Sequence, residues 1–162
     1  MNSGQIVTAV LEEGSPLGST LDFVVDANAP RGGMKHTFFT PDRKYAVQFF
    51  NDPRDGHNPN IQDRIRTIVS IYNPTLSEQA GGALGNTEKT AEYFRSRFCW
   101  PVAIVSQPEF GIVCPTYPQK FFFGGNASTN GLNLKGKDKK SNWFTGCLLY
   151  TSPSPRDRTR SR

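Results

Sequence analysis

Residues 35–50 read KHTFFTPDRKYAVQFF: two apolar, aromatic-rich runs, Lys35–Phe39 and Lys44–Phe50, flank Thr40-Pro41-Asp42-Arg43. Aromatic and β-branched side chains favour extended backbone. Pro41 stands at the second position of the intervening turn, where a fixed φ near −65° is wanted. The stretch therefore predicts an antiparallel hairpin. Upstream, Leu21–Asp26 (LDFVVD) predicts another strand, joined to the hairpin through the Pro/Gly loop Asn28–Gly33 (NAPRGG). Earlier still, Met1–Gly18 holds one apolar stretch, Ile6–Leu11, followed by the turn signal EEGSPLG.

Downstream, Asn51–Pro59 reads as loop. Asn60–Tyr72 then places Ile61, Ile65, Ile68 and Tyr72 at helical spacing. Asn73–Asn86 is loop-like, with GGALG near its centre. Thr87–Phe98 predicts a second helix, with Asn86 as N-cap, Ala91, Phe94 and Phe98 on one side, and Pro101 as terminator. Val102–Ser106 and Gly111–Cys114, split by QPEF, read as a second hairpin. Pro115–Phe123 starts extended and turns apolar, Gly124–Gly131 is a polar loop, and Leu132–Thr145 is basic and irregular. Five antiparallel strands with one or two helices after the third is an α+β pattern.

The 162 residues hold 19 Lys and Arg against 14 Asp and Glu, a net charge of +5. Two short segments carry it. Lys135–Lys140 and the last sixteen residues each contribute a net +3, leaving the remainder at −1. A nearly neutral body without base-stacking aromatics interleaved with Lys or Arg argues against a nucleic-acid face. No run of 18 apolar residues is present to span a membrane, and the N-terminus lacks the basic and apolar regions of a signal peptide. Cys99, Cys114 and Cys147 form no CxxC pair, which fits a reducing, cytoplasmic compartment. His36 and His57 are far apart in sequence with no metal-ligand spacing around them, and Asp52, Asp55 and His57 read as a solvated loop.

Five short marks stand in order along the chain: Gly32-Gly33-Met34-Lys35, Thr40-Pro41-Asp42-Arg43, Phe98-Cys99-Trp100-Pro101, Pro115-Thr116-Tyr117 and Phe121-Phe122-Phe123. Together with the element order they resemble the N-terminal lobe of a protein kinase, most closely a bacterial kinase-like family associated with helix-hairpin-helix domains. The resemblance implies an N-terminal extension over 1–20, a kinase-like N-lobe over 21–123, and the start of a connector to a C-lobe over 124–146. It implies ATP and Mg²⁺ as cofactors of the intact protein, and a nucleotide and a protein substrate as partners.

Gly32 and Gly33 lie between strands, where a backbone without Cβ can approach phosphates; no Walker A sequence opening a helix is present. In active kinases a lysine of the third strand holds the phosphates and pairs with a glutamate of the C-helix. That lysine's place falls on Gln48, in Tyr45-Ala46-Val47-Gln48, and Gln48 carries no charge. The resemblance to with-no-lysine kinases implies Lys35 as the substitute cation. Glu92, nine residues before Pro101, is the C-helix acid it implies, with Glu88 as the runner-up. The bland reading of Glu92 is a surface carboxylate paired with Lys89 or Arg95. Thr116 and Tyr117 would supply hinge backbone to an adenine, between apolar walls from Ala46 and Val113.

Cys147–Asp157 (CLLYTSPSPRD) matches, in order, the translation of a common transposon-based sequencing adapter. The expectation is that native sequence ends at about Gly146, with 147–162 a non-native tail. No HRD-like or DFG-like element occurs in the chain. The expected function is the nucleotide-binding lobe of an ATP-dependent Ser/Thr kinase-like phosphotransferase, inactive as it stands; a pseudokinase scaffold and an unrelated α+β interaction module are the alternatives.

Overall fold

The computed structural model describes Ser3–Pro118 and Phe121–Gly124, together with the backbone of 128–129 and 132–133. The basic run 135–140 and the tail 147–162 lie outside the described residues. The chain divides into two compact units, residues 1–116 and 117–162.

The first unit is built on six strands: β1 (Ile6–Leu11), β2 (Thr20–Val24), β3 (Lys35–Phe39), β4 (Tyr45–Phe50), β5 (Ala103–Gln107) and β6 (Gly111–Pro115). They form a closed antiparallel barrel in the order β1-β2-β3-β4-β6-β5. This corrects the expectation of an open five-stranded α+β sheet, and with it that of a protein-kinase-like N-lobe architecture. Five strands lie where the sequence placed them. The sixth is Ile6–Leu11, whose alternation IVTAVL turns Ala9 and Leu11 into the interior while Ile6, Thr8 and Val10 face out. It pairs with β2 through Ile6↔Val24 to Val10↔Thr20, then with β5 through Val10↔Gln107 and Leu11↔Val105. The register shifts between Val10 and Leu11, an irregularity of the kind that bends a strand and lets a sheet curl shut.

The TPDR turn forms as expected: the Arg43 amide donates to the Thr40 carbonyl at 2.8 Å. Arg43 has φ 55°, the one left-handed non-glycine among the described residues. The buried Thr40 hydroxyl donates to Asp42 Oδ1 at 2.6 Å and accepts from the Tyr45 amide. Register then runs from Phe39↔Ala46 to Lys35↔Phe50 along β3 and β4. Pleating sends Tyr45, Val47 and Phe49 inward and Ala46, Gln48 and Phe50 outward. Inside, Phe23 stacks on Phe38 at 5.4 Å and tilts against Phe49 at 5.5 Å, over Val47, Val105 and Val113. Eight strands make an interior just wide enough for side chains to fill, so six leave room for no channel.

The connection from β4 to β5 carries the helices. The short α1 (Pro53–Gly56) falls in the expected loop, capped by Asp52. α2 (Pro59–Val69) is capped by Asn58 and ends before the predicted Tyr72. Its apolar stripe packs only partly: Ile61 and Ile65 are half-buried, while Ile68 and Tyr72 are exposed. Arg66 fastens α2 to the β1–β2 turn through a 2.8 Å ion pair with Glu12. α3 (Glu88–Arg95) is capped by Thr87, whose hydroxyl accepts from the Thr90 amide. The expected cap, Asn86, lies one residue outside. Between α2 and α3, buried Asn73 knots the loop: its amide donates to the Val69 and Pro101 carbonyls, and its Oδ1 accepts from the Thr75 amide and hydroxyl.

In the second unit, the Phe121 amide donates to the Pro118 carbonyl at 3.0 Å, and β7 (Ser128–Thr129) pairs with β8 (Leu132–Asn133).

Candidate functional site

Lys35 opens β3 directly after a tight turn. The Gly32 amide donates to the Lys35 carbonyl at 2.8 Å, and the Thr37 amide to the Pro30 carbonyl at 2.9 Å, so 30–37 forms a small hairpin. Asn51 fastens it from β4's end, donating from Nδ2 to the Gly32 carbonyl and from its own amide to the Met34 carbonyl. Gly32 and Gly33 are exposed. Neither has the positive φ that favours glycine, and a Cβ on Gly33 would touch nothing within 4 Å. The fold itself therefore does not demand glycine at either place. The Gly32 amide is spent closing the turn, whereas the Gly33 and Met34 amides take no partner among the described residues.

The Lys35 side chain is half-buried, with Nζ 4.9 Å above the centre of the Phe50 ring. Desolvation pulls its pKa below the usual lysine value. No carboxylate forms an ion pair with it among the described residues. Register places Lys35 and Phe50, then Thr37, Gln48 and Ile112, then Phe39, Ala46 and Cys114 in successive rows on the outer face. Burial pushes the Cys114 thiol up to about 11, so it is neutral at physiological pH.

The expected site is brought together only in part. Lys35, Ala46 and Gln48 share the outer face, and Gly32 and Gly33 adjoin it. Val113 does not: it pairs with Val47 and is fully buried in the barrel interior. The neighbour of Ala46 on β6 is Cys114, a buried thiol that the expected site did not include. Period-two alternation would have found it, given the β4–β6 register. Thr116 is committed elsewhere, donating from both its amide and its hydroxyl to the Lys44 carbonyl and from the hydroxyl to the Arg43 carbonyl. Its N–H is therefore not free for an adenine edge. Tyr117 is exposed and opens the second unit.

Glu92 is exposed on α3 and pairs with neither Lys35, Lys89 nor Arg95. Arg95 instead holds Glu88, the alternative acid, and donates to the Thr75 carbonyl at 2.8 Å. His57 Nδ1 contacts the Pro53 carbonyl at 2.6 Å, and Asp52 is engaged by Arg54 at 2.7 Å. No cluster of three or more His, Cys, Asp or Glu able to hold a metal ion exists among the described residues. No helix among the described residues is long and apolar enough to cross a membrane. Comparison with protein-family models, curated proteins and solved structures gives no match.

Proposed function

We propose that this chain binds a nucleotide such as ATP by its phosphates at the 30–37 hairpin, as the nucleotide-binding part of a protein-kinase-like phosphotransferase of Ser/Thr type. The carrying observation is the hairpin itself. Among the described residues, the amides of exposed Gly33 and Met34 take no partner, and they stand beside a half-buried lysine that no carboxylate neutralises. A phosphate bridging those amides and the Lys35 ammonium would satisfy all three groups. Ala46 and Gln48 continue the same face toward the far end of β4, about 17 Å of strand at roughly 3.4 Å per residue. Ala46, Ile112 and Cys114 on that face are buried, so its accessible part is the hairpin end beside Lys35.

Within this reading, the neutral Gln48 and the missing Lys–Glu pair favour binding without transfer, as in a pseudokinase scaffold. Phosphoryl transfer would require a catalytic aspartate and a metal-binding aspartate that these 162 residues do not supply in recognisable form. A cytoplasmic location belongs to the same proposal and is supported by the absence of a CxxC pair.

Titration calorimetry of the full chain with ATP and with adenosine tests the phosphate reading. ATP is expected to bind at least tenfold more tightly than adenosine, and Lys35→Met to erase that advantage while leaving adenosine unchanged. Equal affinity for the two ligands, no ATP binding at millimolar concentration, or an unaltered Lys35→Met variant would each overturn it.

A further inference from the structure

At the opposite end of the barrel from Lys35, where β4 begins and β6 ends, a cavity of about 420 Å³ opens. Its walls include the rings of Tyr45, Phe98 and Trp100 and the aliphatic side chains of Leu17 and Val102. Tyr45, Leu17 and Val102 also pack on the interior core, so the cavity belongs to the inner face of the sheet. Ala46 and Gln48 point to the other face. The cavity is therefore separate from the nucleotide face and does not rest on that reading.

The polar groups around it are nearly all engaged. The Trp100 indole N–H donates to the Ile68 carbonyl at 3.0 Å, and the Thr75 hydroxyl donates to Asn73 Oδ1 at 2.6 Å. The Arg95 guanidinium serves the Thr75 carbonyl and the Glu88 carboxylate, which offsets its charge. Lys44 is the exception. Its one ion pair among the described residues, with Asp42, is long at 3.6 Å and exposed at both ends, the kind of pair that contributes little. The Asp42 carboxylate already accepts from the Thr40 hydroxyl and the Lys44 amide, so Asp42 keeps its own partners when the ammonium turns away. Asp42 does not line the cavity, and both charged residues that do, Lys44 and Arg95, are cations.

Flat aromatic walls select a flat apolar body. A volume within the 300–1,000 Å³ range of small-molecule sites sets its size. The Lys44 ammonium at the rim, held only by that long and exposed pair, selects a single negative charge. We infer that this barrel end is a binding site for a small planar aromatic acid, its ring system against Tyr45, Phe98 and Trp100 and its anionic group met by Lys44.

The fluorescent acid 1-anilinonaphthalene-8-sulfonate and its uncharged analogue N-phenyl-1-naphthylamine probe the site directly. In a Trp143→Phe chain, Trp100 is the sole tryptophan and reports proximity by energy transfer to the dye. The acid is expected to bind 1:1 with saturable transfer from Trp100, and the analogue about fivefold more weakly. Lys44→Gln, at an exposed position that does not threaten folding, is expected to weaken the acid about fivefold and to leave the analogue within twofold. Val102→Phe, checked for folding by circular dichroism, is expected to exclude both by filling the cavity. The inference is overturned by absent or unsaturable transfer from Trp100, by equal affinity for acid and analogue, or by a Lys44→Gln chain that binds the acid as the parent does.

Discussion

Gly111 begins β6 directly opposite Phe49 of β4, with Val105 of β5 on its other side. A Cβ built on it would lie 2.6 Å from the Gln48 carbonyl oxygen and 2.8 Å from Phe49 Cδ1. Gly111→Ala must therefore either spread β4 from β6 or push the Phe49 ring away from Phe23 and Phe38, its partners at 5.5 and 6.1 Å. The nearest atom belongs to the backbone, so the strand cannot yield cheaply. Overpacking a well-filled core costs about 1–3 kcal/mol, and this geometry points to the upper end. Replacing glycine restricts the unfolded chain and returns about 0.4–1 kcal/mol. The net expectation is a loss of roughly 2 kcal/mol, equivalent to a Tm lowered by about 4–8 °C in a chain of this size. Equilibrium urea unfolding followed by circular dichroism reads it. In a double-mutant cycle, Phe49→Leu removes one of the two obstructions, so the pair should fall short of additivity by about 1 kcal/mol. A Gly111→Ala variant within 0.5 kcal/mol of the parent would refute the reasoning, because β4 and β6 could not then be so close at this pair.

Two further outcomes follow from buried polar groups. Asn73→Ala leaves the Thr75 amide and hydroxyl and the Val69 carbonyl without their partner in a buried loop. A loss of about 2–4 kcal/mol is expected in urea unfolding, and one under 1 kcal/mol would mean that water replaces the side chain. Lys35 has a pKa below 10.5 when folded, through desolvation, so the native state binds fewer protons than the unfolded chain in the window from that lowered value up to 10.5. Stability contributed by this group thus rises with pH across that window, and below it the buried charge is a constant cost. Lys35→Met should be more stable than the parent at pH 7, with the gap closing as pH approaches 10.5. A gap that is absent at pH 7, or that widens with pH, would contradict a desolvated ammonium.

The hairpins were legible in the sequence because their signals are local. TPDR and QPEF separate runs of aromatic and β-branched residues, and both turns join the strands expected of them. Barrel closure was not legible, because it rests on Ile6–Leu11 finding β5 across most of the chain. Nothing in IVTAVL specifies a second partner. Helix ends were misjudged by a few residues, since Asn58 and Thr87 win the caps by side-chain geometry that spacing alone does not rank. At the candidate site, residue type identified Lys35 and its turn. It could not tell that Val113 faces inward, that Thr116 is bound to the β3–β4 turn, or that Arg95 takes Glu88 and leaves Glu92 alone. Those outcomes depend on register and on competition among partners, which only the folded chain decides.

Closure by the first strand also sets an order of events during synthesis. Leu11 emerges early but must wait for Val105, 94 residues further along the chain. At about 5–20 residues per second, β1 stays one-sided on the ribosome for seconds, its outer row of N–H and C=O groups unpaired. An open strand edge invites pairing with another chain. The nascent protein is thus most exposed to self-association after β2, β3 and β4 have formed and before β5 appears, and any chaperone assistance would be needed in that interval.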